Sequence, residues 1–273
     1  MKVAVKAIII TGNGTNCEVE MRQACILAGA DKADIVHISS LLHGEVRLDD
    51  YNFLNLPGGF LDGDDLGAAK AAANRIRHSS VFGTQELLLE QFTRFIAAGK
   101  LILAVCNGFQ LLVKLGFLPL LNGSYDQIAT LTNNDSGKFE DRWVSLQVNS
   151  SSPCIFTRGL AGLYLPVRHG EGKFVTRDAE SLEGIEKNNL VALRYSRADF
   201  LSPTMEYPYN PNGAVNAIAG ICSPSGRILG LMPHPEAYLH YTNHPRWTRE
   251  RLPEEGMGLL LFKNAVAFAR TEL

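Results

Sequence analysis

Leu101-Ile102-Leu103-Ala104-Val105-Cys106-Asn107-Gly108-Phe109-Gln110-Leu111-Leu112 carries two structural periods in twelve residues. Residues 101–105 are apolar without alternation, as in a strand covered on both faces. From Gly108 the apolar spacing becomes helical, and it stops at Gly116. Strand, cysteine, one residue, glycine, helix: this order throws the cysteine side chain out at the carboxyl edge of a sheet, and a small residue two positions later lets the helix pack closely. That edge is where open α/β sheets bind their ligands. The Cys106 thiol reads two ways. The helix amino terminus favours a reactive thiolate, whereas cysteine is also a small buried hydrophobe; the segment alone leaves both open.

The same alternation extends on either side. Residues 5–10 read as a first strand ending in Thr11-Gly12-Asn13-Gly14, followed by a helix over 18–28 stopped by Gly29. Residues 35–38 and 53–56 read as further strands, the latter ending at Pro57-Gly58-Gly59. Residues 86–98 predict a helix with Thr84 as cap and Gly99 as stop, and the alanine-rich 67–73 suits a helix face or a lid. From 126 to 198 short alternating strands, such as 143–148, predict antiparallel edge or extension strands. Residues 215–221 and 227–232 predict a hairpin around Ser223-Pro224-Ser225-Gly226, and 258–270 a last amphipathic helix. The expected fold is α/β: an open, mostly parallel sheet flanked by helices, with added antiparallel strands. No repeat or linker divides the chain, so one domain over 1–273 is expected.

A thiol nucleophile needs a base, and the base needs an orienting acceptor. Of seven histidines, His37, His43, His78, His240 and His244 sit in loops or at strand ends and read as structural or surface groups. His234 follows an apolar strand in Leu229-Gly230-Leu231-Met232-Pro233-His234-Pro235-Glu236. Along an extended stretch Glu236 falls on the same side as His234, a base with its carboxylate orienter; the plainer reading is a strand-end turn. Gly58-Gly59 leaves backbone N–H groups free of side chains. With the Asn107 N–H, one of them suits an oxyanion, though a Pro-Gly-Gly turn alone is only a turn.

Composition excludes several classes. The 273 residues carry 26 basic and 28 acidic side chains, a net charge of −2, so the basic excess of a nucleic-acid binder is missing. At 46% hydrophobic and 20% charged the chain has ample core material and is not disordered. No stretch reaches the roughly 18 apolar residues of a membrane helix. Met1 to Lys6 leads into a strand-like run without a cleavage pattern, so no signal peptide is read. Five cysteines without a CxxC pair disfavour disulfides and zinc, and fit a reducing cytoplasm. His-Glu-x-x-His is absent and Pro235 interrupts the helix that motif needs, so no metal is expected among 234–244. Gly12-Asn13-Gly14 lacks the remaining residues of a phosphate loop.

Taken together, Gly58-Gly59, Cys106-Asn107-Gly108-Phe109-Gln110 and His234-Pro235-Glu236 resemble, in order, the marks of the class I (triad) glutamine amidotransferases, whose fold is flavodoxin-like. Further segments resemble the glutaminase subunits of phosphoribosylformylglycinamidine synthase: Thr15-Asn16-Cys17-Glu18, Phe139-Glu140-Asp141-Arg142-Trp143, Pro166-Val167-Arg168-His169-Gly170-Glu171-Gly172, and Asn210-Pro211-Asn212-Gly213. With the triad they span nearly the whole chain. Two features depart from the pattern: Ala104 stands where glycine is common, and 61–85 matches poorly.

The resemblance implies Cys106 as nucleophile, His234 as base and Glu236 as orienter. It implies an oxyanion hole at Gly59 and Asn107, and glutamine contacts from Gln110, Gly58 and His169. His169 and Glu171, whose Gly neighbours expose their backbone, suit the lining of the glutamine site or a face toward the synthetase, and a structural turn equally. No cofactor is implied in this chain. ATP and Mg belong to a synthetase partner that receives the ammonia, with a small companion subunit; no nucleic acid or membrane is involved. The alternatives are the glutaminase of another biosynthetic synthetase and a non-catalytic interaction subunit on the same fold.

Overall fold

The computed structural model describes residues 3–273; Met1 and Lys2, part of the leader reading, lie outside the described residues. The strands are β1 (Lys6–Thr11), β2 (Lys32–His37), β3 (Phe53–Leu56), β4 (Leu101–Val105), β5 (Ala129–Thr132), β6 (Glu140–Val148), β7 (Gly162–His169), β8 (Lys173–Thr176), β9 (Val191–Ser196), β10 (Ile218–Cys222) and β11 (Ile228–Leu231). The helices are α1 (Glu18–Leu27), α2 (Ile38–Leu42), α3 (Lys70–His78), α4 (Leu88–Ala97), α5 (Asn107–Leu115), α6 (Ala179–Lys187) and α7 (Leu259–Glu272).

Nine strands form one sheet in the order β2-β1-β3-β4-β11-β10-β9-β6-β7. β2, β1, β3, β4 and β11 run parallel; β10, β9, β6 and β7 continue antiparallel. β4 lies inside this sheet, and every residue of it is fully buried, as its unbroken apolar run requires. Helix α1 packs on α7, and α3 packs on both α4 and α5.

Topology positions the site. β4 is flanked by β3, with Leu56 opposite Ala104, and by β11, with Leu231 opposite Val105. The three strands are parallel, so the segments after them emerge at one edge: Pro57-Gly58-Gly59, Cys106, and Met232 to Glu236. Gly108 allows this closeness in an unexpected direction. A Cβ there would lie 2.1 Å from the Leu56 oxygen, so the glycine lets α5 approach β3 as well as the strand that precedes it.

Several expectations move. The second strand starts at Lys32 and not Ile35, because parallel pairing with β1 begins at Lys6. Thr84 does not cap α4: its hydroxyl donates to the Val81 carbonyl and accepts from the Glu86 N–H, closing a turn. The helix starts at Leu88, where the Glu90 carboxylate accepts the Leu87 N–H at 3.0 Å. The 67–73 patch runs into α3. The hairpin is β10 with β11, and residues 215–217 form a 3₁₀ turn ahead of it. In the middle region β6, β7 and β9 extend the main sheet, while β5 and β8 pair separately. That region also holds α6, a helix the strand reading passed over; Asp178 caps it by accepting the Ser181 N–H at 2.8 Å.

Candidate active site

Cys106 sits on the β4–α5 turn with φ 52°. A non-glycine residue there is strained, and the strain is held by packing on both sides. Its N–H donates to the Leu231 carbonyl at 2.8 Å, and its Sγ lies 3.7 Å from the Arg168 carbonyl. The side chain therefore faces the carboxyl edge, beside the His234 imidazole.

His234 is 2% exposed, and its Nδ1 shares a hydrogen bond of 2.6 Å with Glu236 Oε1. The stretch is not extended as expected: Pro235 turns the chain into a short 3₁₀ segment, and it is this turn that brings the two side chains together. The His234 N–H donates to the Pro166 carbonyl at 2.8 Å, anchoring the end of β11 to β7 from the far end of the sheet order. Burial disfavours a charged imidazole, but the Glu236 carboxylate and the Cys106 sulfur outweigh it and raise the His234 pKa well above the ordinary value.

The two backbone donors have open N–H groups. The bridge between Thr15 and Gly59 is made by Asn16 N–H to the Gly58 carbonyl at 3.3 Å and Phe60 N–H to the Gly14 carbonyl at 2.7 Å, and the Gly59 N–H meets no acceptor among the described residues. Asn107 opens α5, so its N–H has no intrahelical acceptor. Gly59, at φ 131°, has no room for a side chain: a Cβ would lie 2.7 Å from the Gly14 oxygen.

Cys106, His234, Gly59, Gln110 and His169 border one cleft of 540 Å³. Gly58 stands behind it, where a Cβ would lie 2.6 Å from His234 Cε1. Gln110 has internal partners at both polar atoms. Its Oε1 accepts from Asn107 Nδ2 at 3.1 Å, and its Nε2 donates to the Glu171 carbonyl at 2.7 Å. His169 is 3% exposed and bonded to its neighbours: Nδ1 meets Asn134 Oδ1 at 3.1 Å, and Asn134 Oδ1 also accepts the Gly172 N–H at 3.0 Å. Burial, reinforced by the charge of His234, pushes the His169 pKa down to about 3, so its ring is neutral. The other histidines lie elsewhere: His244 is buried among Trp143, Tyr164 and Tyr238, and His240 caps the turn at Tyr241–Asn243.

Sequence reasoning assigned no site role to four residues that the fold brings here: Arg168, Glu20, Asp64 and Cys17. Arg168, Glu20 and Asp64 line the cleft. The Glu171 carboxylate accepts the Ala68 N–H at 3.1 Å, tying the β7–β8 turn to the segment before α3. Cys17, quoted only within a signature, has its Sγ 3.9 Å from His234 Nδ1. The Gly12-Asn13-Gly14 turn is a wall of this site, docked on Gly59.

A cysteine on a strained strand–helix turn, a buried His–Glu pair and two backbone N–H donors thus meet at one edge of a mostly parallel sheet. The chain belongs to the CobB/CobQ-like glutamine amidotransferase domain family, whose model matches residues 4–269. It is 46% identical, over 97% of its length and 98% of the relative's, to phosphoribosylformylglycinamidine synthase subunit PurQ of Dehalococcoides mccartyi. It is 38% identical to the protein of the same name from Methanococcus maripaludis, covering 98% of each chain. The structure of PurLQS from Thermotoga maritima contains a chain that superposes with a TM-score of 0.69 at 27% identity, covering 98% of this chain and 99% of that one.

Proposed function

We propose that this chain is the glutaminase subunit of phosphoribosylformylglycinamidine synthase, releasing ammonia from glutamine for a synthetase partner. The observation that carries the reading is the meeting of the Cys106 turn with the 2.6 Å His234–Glu236 pair in one cleft. Near-full-length likeness to relatives bearing that subunit's name supports the choice of synthetase.

Glutamine enters with its carboxamide toward Cys106. The cleft lining carries one guanidinium, Arg168, and the carboxylates of Glu20, Asp64 and Glu171, a mixture suited to an α-amino acid with both charges. The thiolate attacks the carboxamide carbon. The Gly59 and Asn107 N–H groups hold the oxyanion, each such donor contributing about 3–4 kcal/mol in comparable enzymes. His234 gives its proton to the departing amine, and ammonia leaves a glutamyl thioester on Cys106. His234 then takes a proton from water, which hydrolyses the thioester to glutamate. Glu236 holds the ring orientation throughout. Gln110 acts through the Glu171 turn it anchors, and His169 through Asn134. The ammonia passes to the partner, which uses ATP and Mg to form the amidine; a small companion subunit completes the complex, in the cytoplasm.

Mass spectrometry of the chain with its synthetase and glutamine is expected to find a glutamyl adduct on Cys106. Absence of any adduct under turnover, with glutamate still formed, overturns the reading.

A further inference from the structure

The proposed chemistry leaves one thiol of the cleft unused. Cys17 opens α1 and lines the same cleft as Cys106, with its Sγ 3.9 Å from His234 Nδ1. Donor atoms of Cys17, His234 and Glu236 all lie within 4.8 Å of one another. Glu236 Oε2 is fully buried and meets no donor among the described residues, although its side chain is 0% exposed. The charged His234 ring bonds Oε1 alone, so Oε2 stays a buried acceptor without a hydrogen-bond donor, which is costly. Thiolate, imidazole and carboxylate are the ligand types of zinc, with metal–ligand distances of roughly 2.0–2.3 Å. The S···N separation of 3.9 Å is spanned by one ion bonded to both atoms.

We propose that Cys17, His234 and Glu236 form a zinc site that switches the enzyme off. On binding, Cys17 releases its thiol proton, and His234 keeps its remaining ring proton on Nε2 while Nδ1 bonds the metal. The charged ring gives up its Nδ1 proton to solvent and the Nδ1–Glu236 hydrogen bond is replaced; with Nδ1 held by the metal, Nε2 can no longer pass its proton to the leaving amine and take one back from water. The expectation of no metal among 234–244 rested on spacing along a helix. It does not reach a cluster whose thiol comes from 217 residues away.

The inhibitory consequence rests on His234 acting as base; the binding does not, so the two can fail separately. The test uses full-length Cys106→Ala, titrated with Zn²⁺ against a chromophoric zinc indicator. One ion per chain is expected, with affinity falling at least tenfold when Cys17→Ala or Cys17→Ser is added. Equal affinity in the double variants overturns the site, as does loss of binding in Cys106→Ala alone, which would make Cys106 the ligand. Cobalt bound to Cys106→Ala should show thiolate-to-metal charge-transfer absorption. Its absence overturns the proposal even where a Cys17 variant fails to fold.

Discussion

Gly58 lies against the His234 ring, so closely that a Cβ on Gly58 would stand 2.6 Å from Cε1 and 3.3 Å from Nδ1. The glycine is the seat of the imidazole. Gly58→Ala should push the ring away from Glu236 while β3 stays paired. A misplacement of about 1 Å at a reacting group costs on the order of 10²-fold. The expected result is a comparable fall in kcat for glutamine hydrolysis with an unchanged circular dichroism spectrum.

Cys106→Ala should remove glutamine-dependent synthesis by the complex and leave ammonia-dependent synthesis intact. The substitution removes the nucleophile, while the acceptor chemistry belongs to the partner. Paired assays with glutamine and with ammonium chloride check this; loss of both activities contradicts the division of labour.

Glu236→Gln keeps the shape of the side chain and removes its charge. The carboxylate is the leading cause that raises the His234 pKa against burial. The charged imidazole protonates the leaving amine, so activity falls as pH rises through the His234 pKa. Without the carboxylate that pKa drops, and the alkaline limb of kcat/KM should move to lower pH. The rate should also fall by about 10²–10⁴-fold, the scale on which a wrongly held histidine fails.

His169 supplies a stability prediction. Its folded pKa, about 3, lies below the unfolded value, so between roughly pH 6.5 and 3 the unfolded chain binds a proton that the folded chain does not. Folding stability therefore falls with decreasing pH by about 1.4 kcal/mol per unit from this group alone. Urea unfolding at pH 7 and pH 5 should show a smaller difference in His169→Gln than in the unaltered chain. An unchanged difference would mean that the ring is charged when buried.

The elements that sequence made legible are those whose partners lie next to them along the chain. The Val105–Gly108 turn, the Pro57–Gly59 stop and the His234–Glu236 pair each follow from local spacing, and each forms at the expected residues. Helix α6 was hidden because its strongest marker, the Asp178 cap three residues before Ser181, is short and lies among strands. The Thr84 cap failed because a turn hydrogen bond to Val81 competed for the same hydroxyl.

Chain order and residue type thus specified an α/β sheet, a thiol at its carboxyl edge and a histidine–carboxylate pair, since backbone period and turn chemistry act over a few residues. That β3, β4 and β11 are parallel neighbours, and so deliver all three parts to one edge, is a matter of strand pairing. Cys17 beside His234, Glu171 on Ala68 and the neutral His169 behind the cleft likewise depend on contacts across 217, 103 and 35 residues. Burial and hydrogen-bond geometry set those groups' charge and orientation, and both exist only once the chain has packed.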